Sequence, residues 1–446
     1  MNIILLSGGS GKRLWPLSND VRSKQFIKLF HDENGHYESM LQRVYHQIQK
    51  ADPKANIVIA TSKSQVSSIH NQLDMDVSIS IEPCRRDTFP AILLSTLYLT
   101  DVLGVSPQEP VVVCPVDPLV GDTYFTTMQT LAEQAGKPES HLVLMGIEPS
   151  YPSEKYGYII PNSNDVISSV KTFKEKPDRA SAENYLNQGA LWNAGVFAYR
   201  PEYILALAHE LLDFVDYYDL FDRYETLEKI SFDYAVVEKE PVIQVVRYPG
   251  EWKDVGTWNT LTEAMDETII GEAIISDDCE NVHVINELGV PIVAMGLKNV
   301  VLAASPEGIL VSDKDQSDKI KPYVENLNQN IRFADKSWGS FQVLAVDEDS
   351  MTIRLTIKPG HSLSYHSHVH RDEVWTILSG EGTTVVDDME QLVHGGDVIA
   401  MQAGCRHTIQ AITEVTLIEI QRGEEISVYD KEKYKLKRAL SPKTGQ

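Results

Sequence analysis

The sequence predicts a layered α/β domain followed by an all-β domain, and three observations carry that reading. From residue 1 to about 265, short apolar runs alternate with helix-like segments, the pattern of a sheet covered by helices. From about Thr268 to Leu310 the pieces become short and strand-like, punctuated by Gly271, Gly289, Gly296 and Gly308. Beyond Ile331 the helical spacing gives way to alternating runs such as Thr352-Ile353-Arg354-Leu355-Thr356-Ile357. At 446 residues the chain is too long for one ordinary domain. Residues 1–265 are expected to form the first domain, 266–330 a connector and 331–446 the last domain. The connector reads as a short β-solenoid-like piece, with an amphipathic helix near Lys319–Leu327 leading out.

Apolar residues make up 42% of the chain, enough for real cores. The formal net charge is −24, from 64 acidic and 40 basic residues. Nucleic acids and anionic membranes need a basic footprint, so neither is expected as a partner. A nucleotide is not excluded, because its site needs only a few local cations. Cys84, Cys114, Cys279 and Cys405 are scattered, never paired as C-x-x-C, and read as reduced thiols. The apolar run after Met1 ends at the glycines, and no stretch approaches the ~20 residues of a membrane span. The expected location is the cytoplasm.

Taken in order, the first element is a strand, Ile3-Ile4-Leu5-Leu6, that runs into Ser7-Gly8-Gly9-Ser10-Gly11-Lys12-Arg13. Glycine has no Cβ, so such a turn lets backbone N–H groups approach phosphates closely, and Lys12 and Arg13 add positive charge there. The carboxyl ends of parallel strands are where such sheets bind nucleotides. A Walker loop is excluded, because Arg13 follows Lys12 and Leu6 holds the first glycine position. A dinucleotide fingerprint begun at Gly9 would place its third glycine at Leu14. A tight turn without a ligand is the commoner fate of two isolated glycines; the two following cations argue against it here. Further strands are expected at Asn56–Ala60, Pro110–Cys114 and His141–Met145, with helical spacing over Phe89–Leu103 and Ala180–Asn187. Asp117 follows the strand-like run Val111–Cys114 and Asp254 lies in Trp252-Lys253-Asp254-Val255-Gly256-Thr257-Trp258; each alone reads as a turn or helix cap rather than a metal ligand.

The opening run resembles the signature G-G-x-G-x-R-L-x-P-L of the sugar-1-phosphate nucleotidyltransferases. With Trp15 and Lys24-Gln25-Phe26 it is similar to the mannose-1-phosphate guanylyltransferase branch. Ser23 stands where that branch usually has proline. The resemblance implies a Rossmann-like, GT-A-like domain in which Arg13 and Lys24 bind triphosphate and stabilise charge at the reacting phosphorus. It implies nucleotide contacts from Leu6, Gly8, Gly9, Gly11 and Lys12. Glu82-Pro83-Cys84-Arg85-Arg86-Asp87-Thr88 resembles E-P-x-x-R-N-T, which adds Arg86, Asp87 and Thr88, with Asp87 replacing asparagine. Asp117 and Asp254 match the paired aspartates that hold the catalytic Mg²⁺. Tyr156-Gly157, Glu175-Lys176-Pro177 and Trp192-Asn193-Ala194-Gly195 match the sugar-binding elements. There Tyr156, Gly157, Glu175, Lys176 and Asn193 are expected on sugar and sugar phosphate. Ser231-Phe232-Asp233-Tyr234 and Glu238 resemble a further element, S-x-D-x-x-x-x-E, read as structural.

Near the carboxyl end, four of the 13 histidines fall within His361–His370. Gly360, His366, His368, Glu373 and Gly380 have the spacing of a first cupin motif. Gly396, Gly404 and His407 meet the second, with Gln402 where proline is usual. Two residues apart on a strand, His366 and His368 share a face. Three imidazoles and the Glu373 carboxylate suit Zn²⁺ or another divalent transition metal without choosing among them. The segment Leu363–Trp375 resembles the cupin of bifunctional enzymes that fuse a mannose-6-phosphate isomerase to a guanylyltransferase. His366 replaces a glutamine and Val369 a histidine. After Gln421, where such relatives continue G-x-Y-L-G-E-D-D-I-V-R, this chain reads Arg422-Gly423-Glu424-Glu425-Ile426-Ser427-Val428-Tyr429, a shortened stretch that lacks the final arginine.

Together these resemblances imply an enzyme joining mannose 1-phosphate to GTP, with release of pyrophosphate and GDP-mannose, working as a homodimer. Two alternatives stay open. One is a bifunctional enzyme that also isomerises mannose 6-phosphate and fructose 6-phosphate at the cupin metal. The other is a guanylyltransferase for another sugar 1-phosphate with a non-catalytic sugar-binding cupin.

Overall fold

The structure, a computed structural model, describes residues 1–9, 12–19, 21–73, 76–325, 327, 331–424, 426 and 430–436. The chain divides into two compact units. The first comprises Met1–Arg13, Ser23–Val66 and Gln72–Asp266; the second comprises Leu14–Arg22, Ser67–Asn71 and the chain from Glu267 onward.

The first unit is built on one mixed sheet of nine strands. Their order across the sheet is Ser78–Glu82, Asn56–Ser62, Asn2–Leu6, Val111–Pro115, Leu191–Tyr199, Leu142–Ile147, Ile243–Tyr248, Ile167–Lys174 and Tyr158–Pro161. Asn2–Leu6 runs parallel to both neighbours, which explains its unbroken apolar sequence: Ile3, Ile4 and Leu5 are wholly buried. Leu191–Tyr199 is antiparallel to Val111–Pro115 and to Leu142–Ile147. Helix Met40–Ala51 starts at a capping box between Ser39 and Gln42. The helical spacing from Phe89 yields the α-helix Thr88–Leu97, buried on nearly every side, continued by a π-helical turn over Tyr98–Val102. Helix Arg179–Asn187 is capped by Asp178, whose side chain accepts from the Ser181 N–H.

In the second unit, Ile269–Ile270, His283–Asn286 and Val300–Ser305 pair in parallel, and Gly308–Asp313 closes that sheet antiparallel. Ala273–Ile275 and Ile292–Ala294 form a separate parallel pair. Lys314, only 2% exposed, donates to Asn281 Oδ1 at 2.7 Å and lies 2.8 Å from His283 Nδ1. Burial and that ammonium push His283 down to about 4, so the ring is a neutral acceptor. The expected amphipathic helix is short: a 3₁₀ turn over Lys314–Lys319, then Lys321–Glu325, none of whose residues is buried. Leu14–Arg22 is fastened within this unit. Asn19 Nδ2 donates to Glu307 Oε1 and to the Phe333 carbonyl, and Arg22 makes a bidentate pair with Glu287 at 2.8 Å.

The rest of the unit is two antiparallel sheets. One contains Phe333–Lys336, Gly339–Val346, Ser350–Ile357, Val415–Gly423, Arg371–Ser379 and Val398–Met401. The other contains Met389–His394, Glu381–Val386, His407–Ala411, His366–Ser367 and Glu432–Lys433. Leu355, Trp375, Ile377 and Leu417 of the first share one core with Val393, Ile409 and Ala411 of the second. Two sheets packed on one core form the all-β domain that the alternating apolar runs predict, with the two-sheet architecture that the cupin resemblance implies. Among the described residues, no helix is long and apolar enough to cross a membrane. All four cysteines are free.

Candidate functional site

The glycine loop leaves the end of Asn2–Leu6 with Gly8 and Gly9 exposed. Its backbone is held from behind. The Gly9 carbonyl accepts from Ser23 Oγ at 2.9 Å and from Gln65 Nε2 at 3.2 Å, and Gln25 Nε2 donates to the Ser7 carbonyl at 3.0 Å. Ser23, where proline was usual, is therefore a tether that proline could not supply. Arg13 is exposed and Lys12 half-buried at the loop's end; Gly11 lies outside the described residues.

The two aspartates, distant in sequence, are brought together by strand pairing. Trp252–Asp254 runs antiparallel to Pro118–Val120 with Asp254 opposite Pro118, the residue after Asp117. Lys24 Nζ lies 3.1 Å from Asp117 Oδ2. Gly256 marks the third side: a Cβ there would sit 2.9 Å from Asp254 Oδ1 and 3.4 Å from Lys24 Nζ. Asp117 Oδ1 is buried without a hydrogen-bond partner. Two carboxylates with one such oxygen form an oxygen-donor set of the kind Mg²⁺ takes, so the residues fit that ion.

On the nucleotide side, Asp87 adopts a strained backbone, φ 68° with ψ −172°, outside the left-handed helical region. Its carboxylate caps helix Thr88–Leu97 by accepting from the Thr88 N–H at 2.8 Å. The exchange of asparagine for aspartate thus keeps the turn. Thr88 Oγ1 accepts from the Phe232 N–H. Arg86 does not turn toward the loop: its guanidinium donates to the Glu225 carbonyl. Arg85 is the arginine that reaches the loop, 3.4 Å from the Gly9 carbonyl.

The sugar-side residues form one connected cluster. The Asn193 N–H donates to the Gly157 carbonyl at 2.8 Å, joining two of the motifs. Asn193 Nδ2 donates to Asp233 Oδ1 at 2.7 Å, and its Oδ1 accepts from the Gly195 N–H. Lys176 Nζ lies 2.6 Å from Glu175 Oε1. Burial works against the Lys176 ammonium, but the bond and charge of Glu175 outweigh it and hold its pKa above the ordinary value. Glu175 Oε2 is buried without a hydrogen-bond partner, and a Cβ on Gly157 would come within 2.5 Å of it. Only glycine leaves that oxygen its place. Tyr156 packs against Trp192 and Trp252 at ring distances of 4.9 and 5.4 Å, a wall running from the sugar cluster to the Asp254 strand.

Two residues read as structural take part here. Asp233 holds Asn193, and Glu238 Oε1 accepts from the Glu175 N–H and from Lys174. Burial and the Glu175 charge push the Asp233 carboxyl up to about 7. The motif S-x-D-x-x-x-x-E carried the signal; only its partners in space were invisible.

The second centre lies between the two sheets of the other unit. His366, His368 and His407, at most 4% exposed, bring one ring nitrogen each within 4.8 Å of the others. His366 stands opposite His407 in the strand register. The Nδ1 of each ring faces a backbone carbonyl: Ser364 for His366, Asp430 for His368 and Cys405 for His407. A carbonyl can only accept, so each ring carries a proton on Nδ1, which leaves Nε2 as the nitrogen that can ligate a metal. Burial and the positive charge of Lys431 push His366 down to about 3, which keeps its ring neutral.

Glu373 lies against two of the rings, 3.1 Å from His368 Nε2 and 3.2 Å from His407 Nε2, while Arg371 Nε donates to it at 3.0 Å. Burial opposes its charge, but the two histidines outweigh that and hold the carboxyl well below the usual range. His407 Nε2 is buried with no hydrogen bond, for its contact with Glu373 is not aligned as one. Three converging ring nitrogens fit a divalent transition metal.

The comparisons match both parts of the chain. A nucleotidyl transferase family model matches residues 2–269, and a mannose-6-phosphate isomerase C-terminal model matches residues 325–435. The chain is 30% identical to the xanthan biosynthesis protein XanB of Xanthomonas campestris, over 96% of each chain. It is 30% identical to a mannose-1-phosphate guanylyltransferase of Klebsiella pneumoniae, over 96% of this chain and 97% of that one. A crystal structure from Thermus thermophilus, described as a mannose-1-phosphate geranyltransferase, is 27% identical with a TM-score of 0.62. It covers 74% of this chain and 99% of its own. The chain thus belongs to the nucleotidyl transferase family, among the mannose-1-phosphate guanylyltransferases that carry a mannose-6-phosphate isomerase-type cupin.

Proposed function

We propose that the first unit forms GDP-mannose and pyrophosphate from GTP and mannose 1-phosphate. The observation that carries the reading is the meeting of Asp117, Asp254 and Lys24 beside the tethered glycine loop, with a connected sugar cluster in the same unit. Lys12, Arg13 and Lys24 would neutralise the triphosphate, and Gly8 and Gly9 would offer backbone N–H groups. Glu175 Oε2 would accept from a sugar hydroxyl and Lys176 would hold the sugar phosphate. A phosphate oxygen of mannose 1-phosphate then attacks the α-phosphorus; the bond to the β-phosphate breaks, and pyrophosphate leaves in line. No general base is needed, because a phosphate dianion is already a competent nucleophile. Mg²⁺ on Asp117 and Asp254, when bound, would supply positive charge between the two phosphates. Lys24 keeps its cation beside the same point, where charge develops in the transition state.

The test is pyrophosphate release across a matrix of nucleoside triphosphates and sugar 1-phosphates. GTP with mannose 1-phosphate should be among the best pairs, and Asp254→Asn should lower its turnover at least ~100-fold with the far-UV spectrum unchanged. A different best pair refutes the substrate assignment; retention of most activity in the variant refutes the two-aspartate site.

A second reading rests on the three Nδ1-protonated histidines. We infer that the cupin binds a divalent transition metal through His366, His368 and His407, with Glu373 beside them. Conversion of mannose 6-phosphate to fructose 6-phosphate, assayed with and without chelator, separates an isomerase from a binding module. We assign the functional division to residues 1–265, 266–330 and 331–446, the location to the cytoplasm and the working form to a homodimer, which sedimentation velocity checks.

A further inference from the structure

Two of the three cupin histidines are oriented by carbonyls two residues earlier in the chain: Ser364 for His366 and Cys405 for His407. His368 is different. Its Nδ1 partner is the carbonyl of Asp430, 62 residues further on, in the last described segment of the chain. That segment grips the short strand His366–Ser367 at several points. The Asp430 carboxylate accepts from the Val369 N–H at 2.8 Å and from the His370 N–H at 3.1 Å. Lys433 and Glu432 pair with His366 and Ser367 as an added strand. The Tyr434 N–H donates to the Tyr365 carbonyl at 2.9 Å, and Arg406 lies over the Tyr434 ring.

We propose that Asp430 is a positioning residue of the cupin metal centre, and that metal binding and docking of Asp430–Tyr434 are one coupled equilibrium. The inference rests on the reading of the three histidines as ligands. The partner on the far nitrogen of a ligating histidine fixes its tautomer and ring direction, and its loss typically costs 10–100-fold in metal affinity. The Asp430 carbonyl sits where it does because the Asp430 carboxylate is held by two backbone N–H groups next to His368. Releasing the carboxylate releases the carbonyl, and with it the one ligand whose orientation is not set by its own neighbours in the chain. By linkage, a metal that favours the oriented ring must also favour the docked segment.

The experiment uses the full chain and Co²⁺, whose visible absorption reports its ligands. Wild type, Asp430→Ala and Asp430→Asn are titrated with Co²⁺, and amide hydrogen exchange is followed with and without the ion. Wild type should take one Co²⁺ per chain. Asp430→Ala should bind 10–100-fold more weakly and with an altered spectrum. Asp430→Asn keeps one acceptor oxygen and should recover most of the affinity. In wild type, Co²⁺ should slow exchange of the Val369, His370 and Tyr434 amides, a readout that needs no variant. If wild type binds Co²⁺ while Asp430→Ala binds it equally well with the same spectrum, or those amides exchange at unchanged rates, the coupling is refuted and the metal site stands. If wild type takes up no Co²⁺, the metal site itself is refuted.

Discussion

Asp233 shows how a single residue can be conspicuous in a sequence and still be misplaced by it. The motif around it was visible and read as structural, but nothing in the sequence said what the aspartate holds. Its partner Asn193 lies 40 residues away and is reached only through the fold. Burial and the Glu175 charge raise its carboxyl to about 7, against ~3.9 in an unfolded chain. Below pH ~4 the group is protonated in both states and costs nothing. As pH rises from there through 7, the unfolded chain ionises freely while the folded one resists, so Asp233 withdraws stability across that window. Three pKa units correspond to roughly 4 kcal/mol. Asp233→Asn keeps the acceptor for Asn193 Nδ2 and removes the charge. It should therefore melt above wild type at pH 8, with the gap shrinking toward pH 4; thermal unfolding at several pH values checks this, and a pH-independent gap contradicts it. The same contrast holds for the arginines. The family resemblance implies a nucleotide contact for Arg86; in the fold its side chain bonds the Glu225 carbonyl, and Arg85 is the one that reaches the loop. A matched motif locates a backbone; it does not say which of two adjacent side chains turns inward.

At the scale of elements, what was legible followed from periodicity. The continuous apolar runs became the buried parallel strands, because a strand covered on both faces has no polar side to show. The irregularities were not legible, and they aim the site. The strand Leu191–Tyr199 breaks register between Asn193 and Phe197, with Gly195 at φ +71° inside the break. The bulge turns Asn193 toward Asp233 and lets its Oδ1 accept from the Gly195 N–H. A Cβ on Gly195 has room, its nearest neighbour being Pro115 Cγ at 3.8 Å, so the cost of alanine there is one of backbone conformation alone. Gly195→Ala should cost ~1–2 kcal/mol of stability. It should also raise KM for the sugar phosphate more than that for the nucleotide, since the bulge serves only the sugar side. Denaturant unfolding and steady-state kinetics measure both; an equal rise in the two KM values would detach the bulge from sugar binding.

For the whole molecule, the two units present two donor chemistries suited to different metals. Asp117 and Asp254 offer only carboxylate oxygens, with a lysine beside them, a hard set suited to Mg²⁺. His366, His368 and His407 offer three buried imidazole nitrogens, a set that Mg²⁺ does not favour and that first-row transition metals do. The histidine spacing announced the second set in the sequence because its ligands lie within one short run and one further strand. The aspartate pair, 137 positions apart in the numbering, became a pair only through antiparallel pairing of two three-residue strands. These chemistries make the centres separable by a reagent that discriminates between them. A nitrogen-donor chelator such as 1,10-phenanthroline, added with excess Mg²⁺, should strip the cupin metal and leave pyrophosphate release within about two-fold of its untreated rate, whereas a chelator that also removes Mg²⁺ should abolish it. Metal content by atomic emission, measured beside the rate, reads both halves of the expectation. Loss of pyrophosphate release under phenanthroline with Mg²⁺ still in excess would mean that the transferase reaction draws on the imidazole-bound metal, and the assignment of one metal chemistry to each unit would fail.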